Sequence, residues 1–155
     1  ADTAVSIINL VLTRSHAAKA RGTPQTRQEV EADLPLLEEG YAMAREFSGE
    51  SAQLTMMSRN ALVDSYVLAG RFDEAQPLAE ENLRLALAHH GDTSLATGTA
   101  WRARGNLHAA RHRDAEARED LEQSRAVFER MGKGGEVHLA TVEALFTLLD
   151  ERAGN

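Results

Sequence analysis

The feature that most constrains this chain is an internal repeat with a period of 42 residues. The sequence Pro-Leu-Ala-Glu-Glu at 77–81 repeats Pro-Leu-Leu-Glu-Glu at 35–39. A further step of the same length carries the Glu-Ala pair at 74–75 onto Glu-Ala at 116–117, in a third copy that is weaker. A fixed period of this size is typical of units that stack side by side, because one unit alone cannot bury its apolar face.

Each repeat has the pattern of two helices. Residues 51–69 carry apolar side chains at three- and four-residue spacings, as an amphipathic helix does. Gly70 favours the left-handed conformation that ends a helix, and Asp73 is a residue type that caps the next one. We expect Pro77 and Pro35 in the first turns of their helices, where a missing N–H costs little.

The repeat therefore predicts an all-α fold of three helix hairpins and a closing C-terminal helix. We expect one domain over residues 1–155, with units at 3–49, 50–91 and 92–133 and the closing helix at 135–152. The individual helices are predicted at 3–21, 27–47, 51–69, 73–89, 93–111, 114–131 and 135–152. The glycine-rich segment at 132–135 follows a helix and predicts a turn rather than a phosphate-binding loop.

Composition supports this fold and narrows the function. The 155 residues are 43% hydrophobic, enough for one continuous core, and strand-favouring aromatic residues are few. A net charge of −7 argues against a nucleic-acid partner, which needs a basic surface. The absence of Cys excludes disulfides and thiolate sites. No apolar run is long enough to span a membrane, so we expect a soluble, cytoplasmic protein without a membrane partner.

The repeat resembles the tetratricopeptide repeat (TPR) family, whose ordinary unit has 34 residues. The matching residues of the second unit are Leu62, Tyr66, Gly70, Phe72, Asp73, Glu74, Ala75 and Leu83, and those of the third are Trp101, Gly105, Asn106, Glu116 and Ala117. The longer period is similar to the extended repeats of kinesin light chains. His112 departs from the pattern because it replaces the turn glycine. The resemblance implies a right-handed α-solenoid that works as a protein-interaction module.

The resemblance also implies where a partner binds. In that family the first helix of each hairpin lines a concave groove that holds a partner's peptide. The matching positions here predict a groove lined by Met57, Asn60, Asp64, Val67, Arg102, Asn106 and Ala109. The preferred hypothesis is a mixed polar groove that binds an internal peptide through hydrogen bonds to its backbone. The alternative is that these side chains lie on an exposed, solvated face and bind no partner.

One subset of the family grips the C-terminal carboxylate of a partner. The pair Arg102 and Asn106 resembles the basic residue and the Asn of that clamp. The other basic positions have no counterpart here, and Asp64 would repel a carboxylate. The sequence therefore favours the internal-peptide hypothesis over the carboxylate clamp.

Two histidines are the best candidates for a metal site. His108 and His112 are four residues apart, with Glu116 a further four residues on, and side chains at that spacing can share a zinc ion. However, His108 occupies the position of the family's Tyr, packed against the second helix, and His112 falls in the turn. We therefore predict no metal and no cofactor.

No catalytic constellation is recognisable, so the sequence predicts a non-enzymatic protein. Two alternatives stay open beside the interaction module: a regulatory or sensory arm of a larger bacterial kinase or transcription regulator, and a helical metal-dependent enzyme. The predicted closing helix has an apolar side that must cover the last hairpin, pair with a second copy as a homodimer, or pack against a missing repeat. That side comprises Val137, Ala140, Val142, Leu145, Phe146 and Leu149.

Overall fold

A computed structural model describes residues 25–154, together with positions 3, 5–7, 9 and 13. Its α-helices are α1 (Arg27–Ser48), α2 (Gln53–Ala69), α3 (Phe72–His90), α4 (Leu95–Ala110), α5 (Asp114–Arg130) and α6 (Glu136–Ala153), and a short 3-10 turn spans Gly132–Gly134. The all-α prediction is confirmed. Most of the predicted helix at 3–21 lies outside the described residues, and the isolated positions described there are helical.

The helix bounds follow the period seen in the sequence. α2 begins at Gln53 and α4 at Leu95, while α3 begins at Phe72 and α5 at Asp114, so each start recurs 42 residues later. The turn between the two helices of a hairpin recurs as well. Its left-handed residue is Gly70, with φ of 74°, in one hairpin. The next hairpin is formed by α4 and α5, and the left-handed residue of its turn is His112.

Each helix packs against the next one along the chain, and α2 also packs against α4. The helices therefore form an all-α helical-repeat solenoid in which the first helices of successive hairpins lie side by side. One part of the core joins α1 to α4 through buried residues that include Leu34, Leu62 and Leu107. Another joins α4 to α6 around Phe128 and Phe146.

Small residues let α4 and α5 approach closely. A Cβ atom on Gly98 would lie 2.6 Å from Cε1 of Phe128, and one on Gly105 would lie 3.0 Å from Cγ of Leu121. Both partner side chains are fully buried and have little room to move. The α4–α5 spacing therefore requires glycine at position 98 and strongly favours it at position 105.

Two local predictions are wrong. Asp73 does not cap α3, because the helix already begins at Phe72 and its N-cap, Arg71, makes no side-chain capping bond. Pro35 lies well inside α1 rather than in its first turns, because that helix begins at Arg27 behind a capping box made by Thr26 and Glu29. Proline has no N–H, so Pro35 cannot donate to the carbonyl group one turn earlier in α1. Pro35 is exposed, so water can reach that carbonyl group.

The closing helix covers the last hairpin. Val142, Phe146 and Leu149 of α6 are buried, whereas Val137 is 79% exposed. Arg152 fastens the end of α6 by donating from Nη1 to the carbonyl oxygen of Ala109 over 2.7 Å. The buried residues of the predicted apolar side therefore pack against the rest of the chain. Within residues 25–154 and the few earlier positions described, no helix has the length and apolarity needed to cross a membrane.

Candidate functional site

The side-by-side packing of α2 and α4 creates the surface on which the sequence placed its groove. We call this surface the α2–α4 face, and it comprises Met57, Asp64, Leu68, Thr99, Arg102 and Asn106. Four of the seven predicted lining residues belong to it, namely Met57, Asp64, Arg102 and Asn106. The other three are Asn60, Val67 and Ala109, which lie beneath the surface.

An ion pair joins the two helices at the centre of this face. Arg102 of α4 donates from Nη2 to Oδ2 of Asp64 over 2.7 Å and from Nη1 to Oδ1 over 3.2 Å. Asn106, one turn further along α4, donates from Nδ2 to the same Oδ1 over 3.1 Å. Burial by itself would lower the pKa of Arg102, but the charge and hydrogen bonds of Asp64 outweigh it and raise that pKa. The guanidinium is therefore a permanent cation whose charge is neutralised within the chain.

Exposed apolar side chains lie on either side of the ion pair. Met57 is 50% exposed and Leu68 is 58% exposed. They share a helix face with Asp64, because residues 57, 64 and 68 are spaced by seven and four along α2. Leu68 was not among the predicted lining residues. The spacing from Met57 and Asp64 is the signal that could have identified it.

Asn60 is part of a buried hydrogen-bond network rather than of the accessible surface. Its Oδ1 accepts a 2.7 Å hydrogen bond from Nδ2 of Asn82 in α3, and its own Nδ2 donates to Oγ1 of Thr99 over 3.2 Å. Nδ2 of Asn82 also donates to the main-chain oxygen of Met56 over 3.2 Å. Asn60 therefore holds three helices together beneath the α2–α4 face.

The network continues through a fully buried arginine that the sequence did not single out. Arg59 donates from Nη1 to Oδ1 of Asn82 over 3.0 Å and from Nε to the hydroxyl of Tyr41 over 3.1 Å, and it is paired with Glu50. The whole residue has no exposed surface. Buried arginines are rare unless all their donors are satisfied, and this one joins α1, α2 and α3.

Val67 and Ala109, two residues of the predicted lining, are buried in this structure. Val67 is only 9% exposed and belongs to the core between α1 and α4, and Ala109 is 1% exposed under α6. Their positions follow the family pattern, but in this chain neighbouring helices cover both side chains. Neither is available to a ligand in this structure.

The two histidines considered for a metal site lie in different surroundings, because His108 is buried and His112 is exposed. His108 is buried against α5, where its Nδ1 lies 3.2 Å from Oδ2 of Asp120. Burial would raise the pKa of Asp120, but Arg104 and His108 outweigh it and lower that pKa. His112 is exposed in the turn. Among the described residues, no three acidic or histidine side chains are grouped to hold a metal ion.

Comparison with known proteins agrees with the helical repeat. No curated protein shows significant similarity to the chain. A family model described as "Tetratricopeptide repeat" matches residues 52–130, just over half of the 155 residues, from the start of α2 to the end of α5. Repeats of this kind are generally protein–protein interaction modules. The chain therefore belongs to the tetratricopeptide repeat family.

Proposed function

We propose that this chain is a non-catalytic interaction module that binds an internal segment of a partner protein on its α2–α4 face. The observation that carries the proposal is the pair of exposed apolar side chains, Met57 and Leu68, placed on either side of a neutralised ion pair. Apolar side chains grouped around fixed polar groups are typical of protein-binding surfaces.

The dimensions of the face suit an extended peptide. Met57 and Leu68 are eleven residues apart in α2, which corresponds to about 16 Å along the helix axis. About five residues of extended chain cover that length. Side chains of the peptide would contact Met57 and Leu68, and its backbone groups would bond to Asn106 at the edge contributed by α4.

The charges at the centre of the α2–α4 face favour a partner that binds through apolar contacts. Arg102 and Asp64 neutralise each other, so the centre of the face offers a ligand no net charge from this pair. Neither a strongly acidic nor a strongly basic segment gains from binding there. We therefore expect a partner segment that is largely uncharged and carries two apolar side chains.

The test is a selection of peptides from a displayed library, followed by calorimetric titration of the best binders. Met57→Glu and Leu68→Glu place a charge on the apolar parts of the face and should each weaken binding at least tenfold. The matched control is Leu87→Glu, which changes an exposed leucine of α3 away from this face. The proposal fails if the control weakens binding as much as the other two, or if both face variants bind like wild type.

Substituting Met57 or Leu68 tests the surface more specifically than substituting Asn60 or Arg102. Asn60 belongs to the buried network and Arg102 is held by Asp64, so removing either would disturb the fold as well as the surface. Met57 and Leu68 are exposed on a helix surface, where substitution leaves the core intact.

Self-association through the closing helix stays a prediction. Val137 and Leu148 remain exposed on α6 and are three helical turns apart, so they share one face. A second copy could cover them. Light scattering of wild type beside Val137→Glu decides this point, since a dimer that depends on α6 becomes a monomer in the variant.

A further inference from the structure

Asp64 occupies the position that an external carboxylate would take between Arg102 and Asn106. Both Oδ atoms of Asp64 face the guanidinium, and Asn106 adds a third donor to Oδ1. A planar guanidinium that binds both oxygens of a carboxylate is the geometry that proteins use to recognise this group. The occupant here belongs to the chain itself.

We infer that Asp64 is a specificity-determining residue, an internal carboxylate that fills an anion site made by Arg102 and Asn106 and so excludes the C-terminal carboxylate of a partner. The inference deepens the proposed function and rests on it. A partner is then recognised as an internal segment, because its free terminus finds the site already occupied by the carboxylate of Asp64.

Burial explains why the site would be selective. The side chain of Arg102 is 14% exposed, whereas that of Asp64 is 32% exposed. Asp64 thus lies between the guanidinium and the solvent. An external carboxylate could reach Arg102 only by displacing Asp64, and it would gain no new kind of bond in exchange. Without Asp64, the guanidinium would be a largely buried cation without its partner, which attracts any anion able to enter.

The geometry points to a chemical-rescue experiment with acetate as the probe. Asp64→Ala leaves Arg102 and Asn106 in place and opens the volume of the missing carboxylate. Thermal unfolding is measured in sodium acetate and in sodium chloride at equal ionic strength and neutral pH. At an acetate concentration ten times the dissociation constant, the melting temperature of the variant should rise by about 3 to 6 °C more than that of wild type.

Three controls keep the inference falsifiable. Asp64→Ser retains one hydrogen-bond acceptor and takes the place of Asp64→Ala if the alanine variant does not fold. The double variant Asp64→Ala/Arg102→Met should lose the acetate effect because the cation is gone. Glu143→Ala removes the partner of Arg125, which is more exposed than Arg102, and this variant should respond to acetate as wild type does. The inference is overturned if acetate stabilises neither Asp64 variant more than wild type.

The rescue needs no peptide, so its failure is distinguishable from failure of the proposed function. A peptide obtained in the selection above adds the matching test of specificity. Wild type should bind that peptide with a free C-terminal carboxylate no better than with a C-terminal amide. In Asp64→Ala, a peptide ending at the centre of the face should bind at least fivefold more tightly as the acid than as the amide. A wild type that prefers the acid would overturn the inference.

Discussion

His112 adopts a left-handed backbone conformation, with φ of 58°, at the position that Gly70 occupies with φ of 74° one repeat earlier. The main chain of the hairpin turn is therefore conserved between the repeats although the residue type is not. Gly70 ends its helix by donating its N–H to the carbonyl groups of Tyr66 and Val67. A residue with a Cβ atom is disfavoured in this conformation, so the second hairpin tolerates local backbone strain.

Replacing His112 by glycine should therefore stabilise the protein. Relief of the left-handed strain exceeds the extra flexibility that glycine gives the unfolded chain, and we expect a net gain of about 0.5 to 1 kcal/mol. Urea unfolding measures the free energy. His112→Ala retains the Cβ atom and should show no such gain, so a stabilised alanine variant would assign the effect to the imidazole instead.

Gly98→Ala should destabilise the α4–α5 hairpin. The new methyl group would lie 2.6 Å from Cε1 of Phe128 and 3.0 Å from Cγ1 of Val127, both of which are buried. Overpacking of this kind costs about 1 to 3 kcal/mol. Gly134→Ala is the matched control, because its nearest neighbour lies 4.0 Å away. Equal stability of the two variants in urea would contradict the close approach of α4 and α5.

Arg59→Met should be strongly destabilising. The substitution keeps much of the side-chain volume but leaves Asn82 and Tyr41 without the donors they receive at 3.0 and 3.1 Å. Breaking a buried polar network by removing one member costs about 3 kcal/mol or more. Arg84→Met, which removes an exposed arginine paired with Glu81, serves as control. If the melting temperatures of the two variants matched, Arg59 could not be the connection between α1, α2 and α3.

Stability should fall as the pH is lowered through the range in which histidine titrates. His138 stacks on Phe128 with ring centroids 4.9 Å apart, and burial, assisted by the charge of Arg102, lowers its pKa. The unfolded chain therefore takes up this proton first, near its ordinary pKa of 6.5. His138 opposes folding increasingly as the pH falls from 6.5 towards the folded-state pKa, and below that pKa its contribution is constant.

The measurement is urea unfolding at pH 7.5 and at pH 5.5 for wild type and His138→Phe. The phenylalanine keeps an aromatic ring for the stack and cannot take up a proton. All other titratable groups are common to both proteins, so their contributions cancel in the comparison. We expect wild type to lose more stability than the variant over this range. The same loss in both proteins would show that His138 has no lowered pKa.

The periodic pattern was sufficient to predict the repeat architecture. Three features of the sequence predicted the hairpins described over residues 25–154. They are the residues at the turns, the apolar residues at helical spacing and the recurrence every 42 residues. Their bounds agree to within a few residues because turn and cap signals are local. The similarity to kinesin light chains in particular stays a prediction, since the matching family model concerns the tetratricopeptide repeat in general.

The binding groove stays a prediction, and the structure adds the positions of its residues. Met57, Asp64, Arg102 and Asn106 lie together on the α2–α4 face, whereas Asn60, Val67 and Ala109 are buried. Periodicity tells which face of a helix a residue belongs to. It does not tell which neighbour covers that face, because this depends on how far each helix is rotated against the next.

Sequence alone determined that this protein is a helical repeat, because helix propensity, spacing and turn residues act over a few positions along the chain. Only the tertiary structure decided that Asp64 pairs with Arg102 and that Arg59 is buried. Both facts join residues from different helices, and the partner of a charged side chain depends on distances across the helix interface. Those distances are set by packing, in part by the glycines that allow α4 and α5 to approach.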